Sequence, residues 1–183
     1  MNQSPSYRIG LLSDSHGRAD TTRRAVKLLL AHGADCLIHL GDVGSEQVLD
    51  ELVVARPGAP GDTAALVEAH VVFGNCDYDE ATLTRYAQGL GLVVDHPLGK
   101  LALADSHGGH LYFCHGHRGA DMQAALGAQP RYVCHGHTHL MTDQRRGPTR
   151  IINPGALHRA ARHTVALLEP EHDELTFLNV PGH

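Results

Sequence analysis

Five short stretches of this chain carry side chains able to do metal chemistry: Asp14-Ser15-His16, Gly41-Asp42, Gly74-Asn75-Cys76-Asp77, His115-Gly116-His117 and His137-Thr138-His139. They draw on a pool of 16 histidines in 183 residues, several times an ordinary share and not gathered in a terminal tract. Asp14, His16, Asp42, Asn75, His115, His137 and His139 offer oxygen and imidazole donors, the set that divalent cations such as Mn, Fe, Ni, Co or Zn accept. Asp14 and His16 are two residues apart, as are His137 and His139, and in extended backbone such pairs point the same way and can converge. Seven donors are too many for one four-coordinate ion. Two ions sharing a carboxylate need about that number, and a metal pair ~3.5–4 Å apart is a common device for phosphoester chemistry. Asp42, anionic and central in the order, suits the shared position.

The elements that must position these groups are short apolar runs. Tyr7–Ser13, Cys36–Gly41 and Ala69–Gly74 read as buried strands, and the helices expected between and after them cover Asp20–Gly33, Ser45–Ala55 and Tyr78–Gly91. A loop punctuated by Pro and Gly is expected over Arg56–Ala65. Beyond it the pattern turns to strands at Leu92–Asp95, Lys100–Ala104, His110–Cys114, Arg131–Cys134, Arg150–Ile152, Thr164–Glu169 and Leu175–Val180, with a short helix at Ala120–Leu126. Each of five apolar strands therefore releases a metal-competent residue at its carboxyl end, the edge where α/β sheets build sites. A βαβα half followed by a β-rich half predicts two packed sheets with helices outside, and no shift in composition divides residues 1–183 into more than one domain.

Composition narrows the function. Hydrophobic residues make up 42% and charged residues 19%, as in a globular protein able to bury a core. The net charge is −5 and the 15 Lys and Arg are scattered, which argues against a dedicated nucleic-acid binder. No apolar run is long enough to span a bilayer. The opening MNQSPSYRIG lacks the basic and apolar regions of a secretory signal. Four cysteines with no C-x-x-C pair make no disulfide framework, so a reducing cytoplasm is the expected compartment.

The run DSH, GD, GNCD, HGH and GHTH, in that order and on those elements, resembles the signature of the calcineurin-like metallophosphoesterase superfamily. The likeness extends over nearly the whole chain and is closer to the small single-domain bacterial and archaeal phosphodiesterases, with Ile152-Asn153-Pro154-Gly155-Ala156 matching an NPGS-type loop. It implies a four-layer α/β/β/α sandwich of two mixed β-sheets flanked by helices. It also implies a hydrolase of phosphoric esters, a phosphodiesterase or phosphatase, in which a hydroxide shared by two divalent cations attacks phosphorus of a small or nucleotide phosphoester. Asp14, His16, Asp42 and His139 would hold one cation, and Asp42, Asn75, His115 and His137 the other. Small relatives of this kind often form homo-oligomers. One departure stands at Cys76, where many relatives place a histidine that assists the leaving group or holds the phosphate. A thiol with pKa ~8.5 replaces imidazole poorly near neutrality, so the enzyme is expected either to favour leaving groups that need little acid assistance or to recruit His117 or Asp77 for the proton, and Asn75, Cys76, Asp77 and His117 form the expected catalytic set. The alternative function for such a chain is a non-catalytic scaffold, as in the retromer subunit of the same fold.

Two repeats in the sequence need separate readings. CHGH occurs at Cys114–His117 and at Cys134–His137, and strand parity lets His115, His117, His135, His137 and His139 all face one site. Only the resemblance picks His115 from the first copy and His137 with His139 from the second. DSHG occurs at Asp14–Gly17 and again at Asp105–Gly108, where it falls between two short strands and reads as a hairpin turn without metal. Cys114, Cys134 and His39 are expected to pack in the core. His32, His96, His158, His163, His172 and His183 are expected to be inert, and Arg145-Arg146 to form a solvated turn.

Overall fold

A computed structural model describes residues 7–56 and 65–182. Its strands are β1 (Ile9–Leu12), β2 (Cys36–His39), β3 (Glu68–Val71), β4 (Val93–Val94), β5 (Leu98–Ala102), β6 (His110–Cys114), β7 (Tyr132–Cys134), β8 (Thr142–Arg146), β9 (Thr149–Asn153), β10 (Thr164–Glu169) and β11 (Glu174–Asn179). The helices are α1 (Ala19–Ala31), α2 (Glu46–Asp50), α3 (Glu80–Gly89) and α4 (Gly119–Gly127). Strands β11-β10-β1-β2-β3-β4 make one sheet and β5-β6-β7-β9-β8 the other, each with parallel and antiparallel pairs. Among the described residues, no helix is long and apolar enough to cross a membrane.

Alternation along the strands sorts their side chains into two layers. Ile9 and Leu11 of β1 and Ile38 of β2 point between the sheets, where they meet Leu111, Phe113, Tyr132 and Ile152 from the second sheet. Leu12 and Leu37 point the other way, onto an outer layer that includes Ala25, Val26 and Leu29 of α1 and Leu83 and Ala87 of α3. Helix α1 buries Thr22, Ala25, Val26 and Leu29, the spacing of one helical face. Helix α4 packs beside β6 on the far sheet. The result is the expected sandwich of two mixed sheets with helices outside.

Three local readings change. Helix α2 is shorter than the expected Ser45–Ala55, because the chain beyond it leaves the helix for an extended pairing. Val67 N donates to Val54 O and Arg56 N to Ala65 O, flanking an Ala55–Leu66 bridge. Strand β8 has no counterpart among the expected strands. Its sequence, TDQRR, has no apolar alternation, as suits an exposed edge guarded by charge. Arg145 and Arg146 therefore lie in β8, opposite Arg150 and Thr149, and the turn falls at Gly147-Pro148. The expected loop Arg56–Ala65 lies, except for its two ends, outside the described residues.

Candidate metal centre

The carboxyl ends of β1, β2, β3, β6 and β7 lead into five loops that meet at one edge of the sandwich. Backbone hydrogen bonds first lace the loops after β1 and β2 together. Asp14 N donates to Gly41 O (3.0 Å), His16 N to Asp42 O (2.8 Å) and Gly17 N to Val43 O (2.8 Å). The β3 loop is tied in by Asp77, whose buried carboxylate accepts from Val43 N (3.1 Å), Gly44 N (2.7 Å) and Gly74 N (2.8 Å). Burial pushes the Asp77 carboxyl up, against the pull of these three amides. Asp77, a candidate for the catalytic proton on sequence, thus has both oxygens engaged by backbone.

Asp14 and Asp42 are buried, and the imidazoles gather round them. His139 Nε2 stands 3.2 Å from Asp14 Oδ1. Asp42 lies between His16 Nε2 at 3.5 Å from its Oδ2 and His115 Nε2 at 3.4 Å from its Oδ1. The donor atoms of Asp14, His16 and His139 lie within 4.8 Å of one another, as do those of Asp14, Asp42 and His115, and of His16, Asp42 and Cys76. His137 joins through ring contacts with His115 (5.2 Å between centroids) and His117 (6.2 Å). Asn75 is exposed at the rim, with its amide nitrogen on Cys76 Sγ at 3.4 Å.

The polar atoms in this cluster are unsatisfied in a way that fits a cation. Asp14 Oδ1, His16 Nε2 and His115 Nε2 are buried without a hydrogen-bond partner. A buried donor or acceptor left in that state costs about 1–3 kcal/mol. His115 Nδ1 is 2.7 Å from Leu40 O, so it carries the proton and donates to that carbonyl. With Nδ1 committed to Leu40, Nε2 is the ring atom turned to Asp42, the orientation a metal-ligating histidine takes. Separations of 3.2–3.5 Å between donors are those of neighbours around one small cation with bonds of about 2.0–2.2 Å. The residues present fit a divalent metal.

Charge in the cluster follows from its burial. Burial alone would raise the Asp42 carboxyl, but the adjoining His115 ring and the hydrogen bond from Cys76 N (2.8 Å) hold it well below the usual range. Burial lowers His16, and it pushes the Cys76 thiol up with Asp42 adding to the effect. His39, buried beneath the loops as expected, bonds Ser15 Oγ at 2.8 Å and is driven down to about 3 by its burial.

The spacing argument assumed extended backbone, and the structure builds these positions differently. Asp14 (φ 57°), His16 (φ 45°), Asp42 (φ 52°), His137 (φ 67°) and His139 (φ 58°) are all left-handed, where non-glycine residues are uncommon. Such strain gathers at functional sites because surrounding contacts impose it. The Asn153-Pro154-Gly155 loop supplies some of them. Asn153 Nδ2 donates to Gly136 O (2.8 Å) and Thr138 Oγ1 (3.1 Å), and its Oδ1 accepts from Gly155 N (2.9 Å).

Comparison with known proteins decides the family. The sequence profile described as the calcineurin-like phosphoesterase superfamily domain matches residues 7–173. The chain belongs to that superfamily. It is thus an enzyme of the phosphoesterase class, a family that works with divalent metal. It is 30% identical over 149 residues to phosphodiesterase YfcE of Escherichia coli K12, covering 79% of this chain and 76% of that protein. Among solved structures, an archaeal phosphodiesterase shares the fold with a TM-score of 0.74 at 21% identity, covering 94% of this chain and 99% of that one. Vps29 of Entamoeba histolytica, solved with zinc, shares it with a TM-score of 0.60 at 17% identity, over 94% of this chain and 91% of that one.

Other sequence features fall outside the candidate ligand set. Asp105 Oδ1 accepts from His107 N (3.1 Å) and Gly108 N (2.7 Å), so the second DSHG is the expected turn. His158, expected to be inert, instead lays its ring on His16 at 5.4 Å between centroids. Sequence spacing carries no signal for that contact, since His158 arrives from the loop before β10. Cys36, Glu68 and His70 also cluster, but both His70 nitrogens already face carboxylates, Asp95 at 2.7 Å and Glu68 at 3.2 Å.

Proposed function

We propose that this phosphoesterase is a phosphodiesterase acting on a small or nucleotide phosphoester through two divalent cations. Asp14, His16, Asp42 and His139 would hold one, and Asp42, Asn75, His115 and His137 the other, with Asp42 shared. Bound there, the cations lower the pKa of water and neutralise charge growing on the phosphoryl oxygens. The observation that carries this reading is the set of buried atoms without hydrogen bonds, Asp14 Oδ1, His16 Nε2 and His115 Nε2, facing the Asp42 carboxylate.

The chain's own residues do the rest. Leu40 O fixes the His115 tautomer, Cys76 N fixes Asp42, and Asp77 holds the loops that carry Asp42 and Asn75. His117 is the residue for the leaving oxygen. Arg118 Nε donates to its Nε2 at 3.2 Å, which places the ring proton on Nδ1, a buried atom without a partner. Burial and the neighbouring His115 and Arg118 lower its pKa, so it acts as a neutral ring and offers Nδ1–H as a hydrogen-bond donor. The Cys76 thiol, held protonated beside Asp42, lines the same site without competing for that task. The scaffold alternative rests on fold likeness to Vps29 and does not account for the intact donor set.

Metal analysis joined to hydrolysis of bis(p-nitrophenyl) phosphate tests the reading. The expected result is two equivalents of divalent metal and turnover that chelator abolishes and metal restores. Absence of bound metal after loading, together with no turnover for any divalent ion, would remove it.

A further inference from the structure

Beside the metal centre lies a cavity of about 430 Å³. Its walls include Thr138, His139, Leu140, Met141, Arg159 and Arg162. His139 belongs both to this cavity and to the ligand cluster, 3.2 Å from Asp14. The opposite wall is brought to the cluster by the chain entering it: Leu157 N donates to Ser13 O at 3.1 Å, and the next ring, His158, lies on His16. Arg159 follows directly, held in the left-handed region at φ 52°.

The two cations on this wall differ from the chain's structural arginines. Arg8, Arg23, Arg131 and Arg150 are each held by a carboxylate. Among the described residues, neither Arg159 nor Arg162 makes a hydrogen bond or an ion pair, and both are exposed. A guanidinium left free beside a centre built for phosphate is suited to a second anion, which it can take through two parallel hydrogen bonds. Leu140 and Met141, 68% and 52% exposed, give the same cavity an apolar wall for the organic part of a ligand. The volume is that of a small-molecule site.

We propose that Arg159 and Arg162 form an anion subsite next to the metal centre, so that the favoured substrate is a phosphodiester carrying a further phosphate at the end of one arm. This rests on the phosphodiesterase reading. The reacting diester sits at the metal ligands, the arm crosses Leu140 and Met141, and its terminal phosphate meets the two guanidinium groups.

The test uses two p-nitrophenyl phosphodiesters, one whose second alcohol is n-propanol and one whose second alcohol is 3-hydroxypropyl phosphate. In the metal-loaded protein, kcat/KM for the phosphate-bearing ester is expected to exceed that of the propyl ester by about 10- to 100-fold, the worth of charge-assisted hydrogen bonds. In the variant carrying both Arg159→Ala and Arg162→Ala, that ratio falls to near unity, and Arg159→Lys retains part of it. Turnover of both esters by the parent protein at equal kcat/KM overturns the subsite. Should neither ester be turned over, the phosphodiesterase reading fails by itself. Binding of 3-hydroxypropyl phosphate to chelator-treated protein, measured by calorimetry, then judges the subsite. Loss of binding in the double variant upholds it, and equal or absent binding in both proteins overturns it. Both side chains are exposed and unpaired, so circular dichroism should show the fold unchanged.

Discussion

Gly74→Ala is the smallest change expected to dismantle the metal centre, and the structure gives its size. A Cβ on Gly74 would stand 2.1 Å from Asp42 Oδ1, 2.6 Å from Asp42 N and 2.7 Å from His115 Nε2. Real Cβ atoms essentially never approach a heavy atom closer than 3.0 Å. The Asp42 carboxylate would have to retreat by about 0.9 Å, and the contact with Asp42 N cannot be relieved by a side-chain rotation. Retreat breaks the Cys76 N–Asp42 Oδ1 hydrogen bond of 2.8 Å and parts Asp42 from both His16 and His115. Overpacking of this kind costs about 1–3 kcal/mol of stability. Loss of support around a metal ligand costs 10–100-fold in affinity, and displacement of the shared ligand itself should exceed that, so affinity for at least one cation should fall by ~100-fold or more. Metal content after dialysis, read at matched folded fraction from circular dichroism, measures the effect alongside diester turnover. Gly89→Ala on α3 is the control, because a Cβ there meets nothing within 4 Å and Ala stabilises a helix by roughly 0.5–1 kcal/mol. Should Gly74→Ala keep two metal equivalents and turnover within threefold of the parent, the close packing of Asp42 against residue 74 would be refuted.

Three further outcomes follow from individual contacts. Asp42→Asn should reduce metal content by two equivalents, where His139→Ala removes one, since only Asp42 faces both His16 and His115; equal losses would deny the shared role. His70 should make stability fall at alkaline pH: burial alone lowers its pKa, but the hydrogen bond with Asp95 helps raise it to about 10. With the folded value above the unfolded ~6.5, the contribution of roughly 3–5 kcal/mol is complete below pH ~6.5 and lost as pH rises through 10; urea midpoints between pH 6 and 10 should decline in the parent and flatten in Asp95→Asn, and parallel curves would rule out the pair. Cys76→His should speed hydrolysis of alkyl diesters, which need acid assistance, by about 10-fold or more while leaving aryl diesters nearly unchanged; an equal effect on both would show that the thiol does not limit protonation of the leaving group.

What could be read from the chain alone depended on whether the signal was local. Strands β1, β2, β3, β6 and β7 were legible because each is an apolar run ending in a candidate metal ligand, at the carboxyl edge where α/β sheets build sites. Strand β8 was not, because TDQRR buries too little to print a pattern. Asp77 was visible as an acid beside Asn75, but its role depends on Val43 N and Gly44 N, more than thirty residues away. No spacing within GNCD encodes where those amides fall. His158 and Arg159 were missed for the same reason, since the contact that carries them to the centre is a single backbone hydrogen bond from Leu157 to Ser13.

The paired CHGH stretches show how far identical residues can diverge once neighbours differ. His115 and His135 occupy the same place in the tetrapeptide and both follow a buried strand cysteine. His115 leaves β6 facing the first sheet, where its Nδ1–H donates to Leu40 O and Nε2 turns onto Asp42. His135 leaves β7 beside β9, where its Nδ1 meets Gly136 O at 3.0 Å and Asn153 Nδ2 at 3.4 Å, and burial lowers its pKa. The second copy then takes the left-handed backbone at both His137 and His139, with Gly136 packed so tightly that a Cβ would lie 1.9 Å from Ser13 Oγ. A carbonyl on one side and an asparagine loop on the other give the two equivalent histidines different partners, and that is information the tetrapeptide itself does not contain.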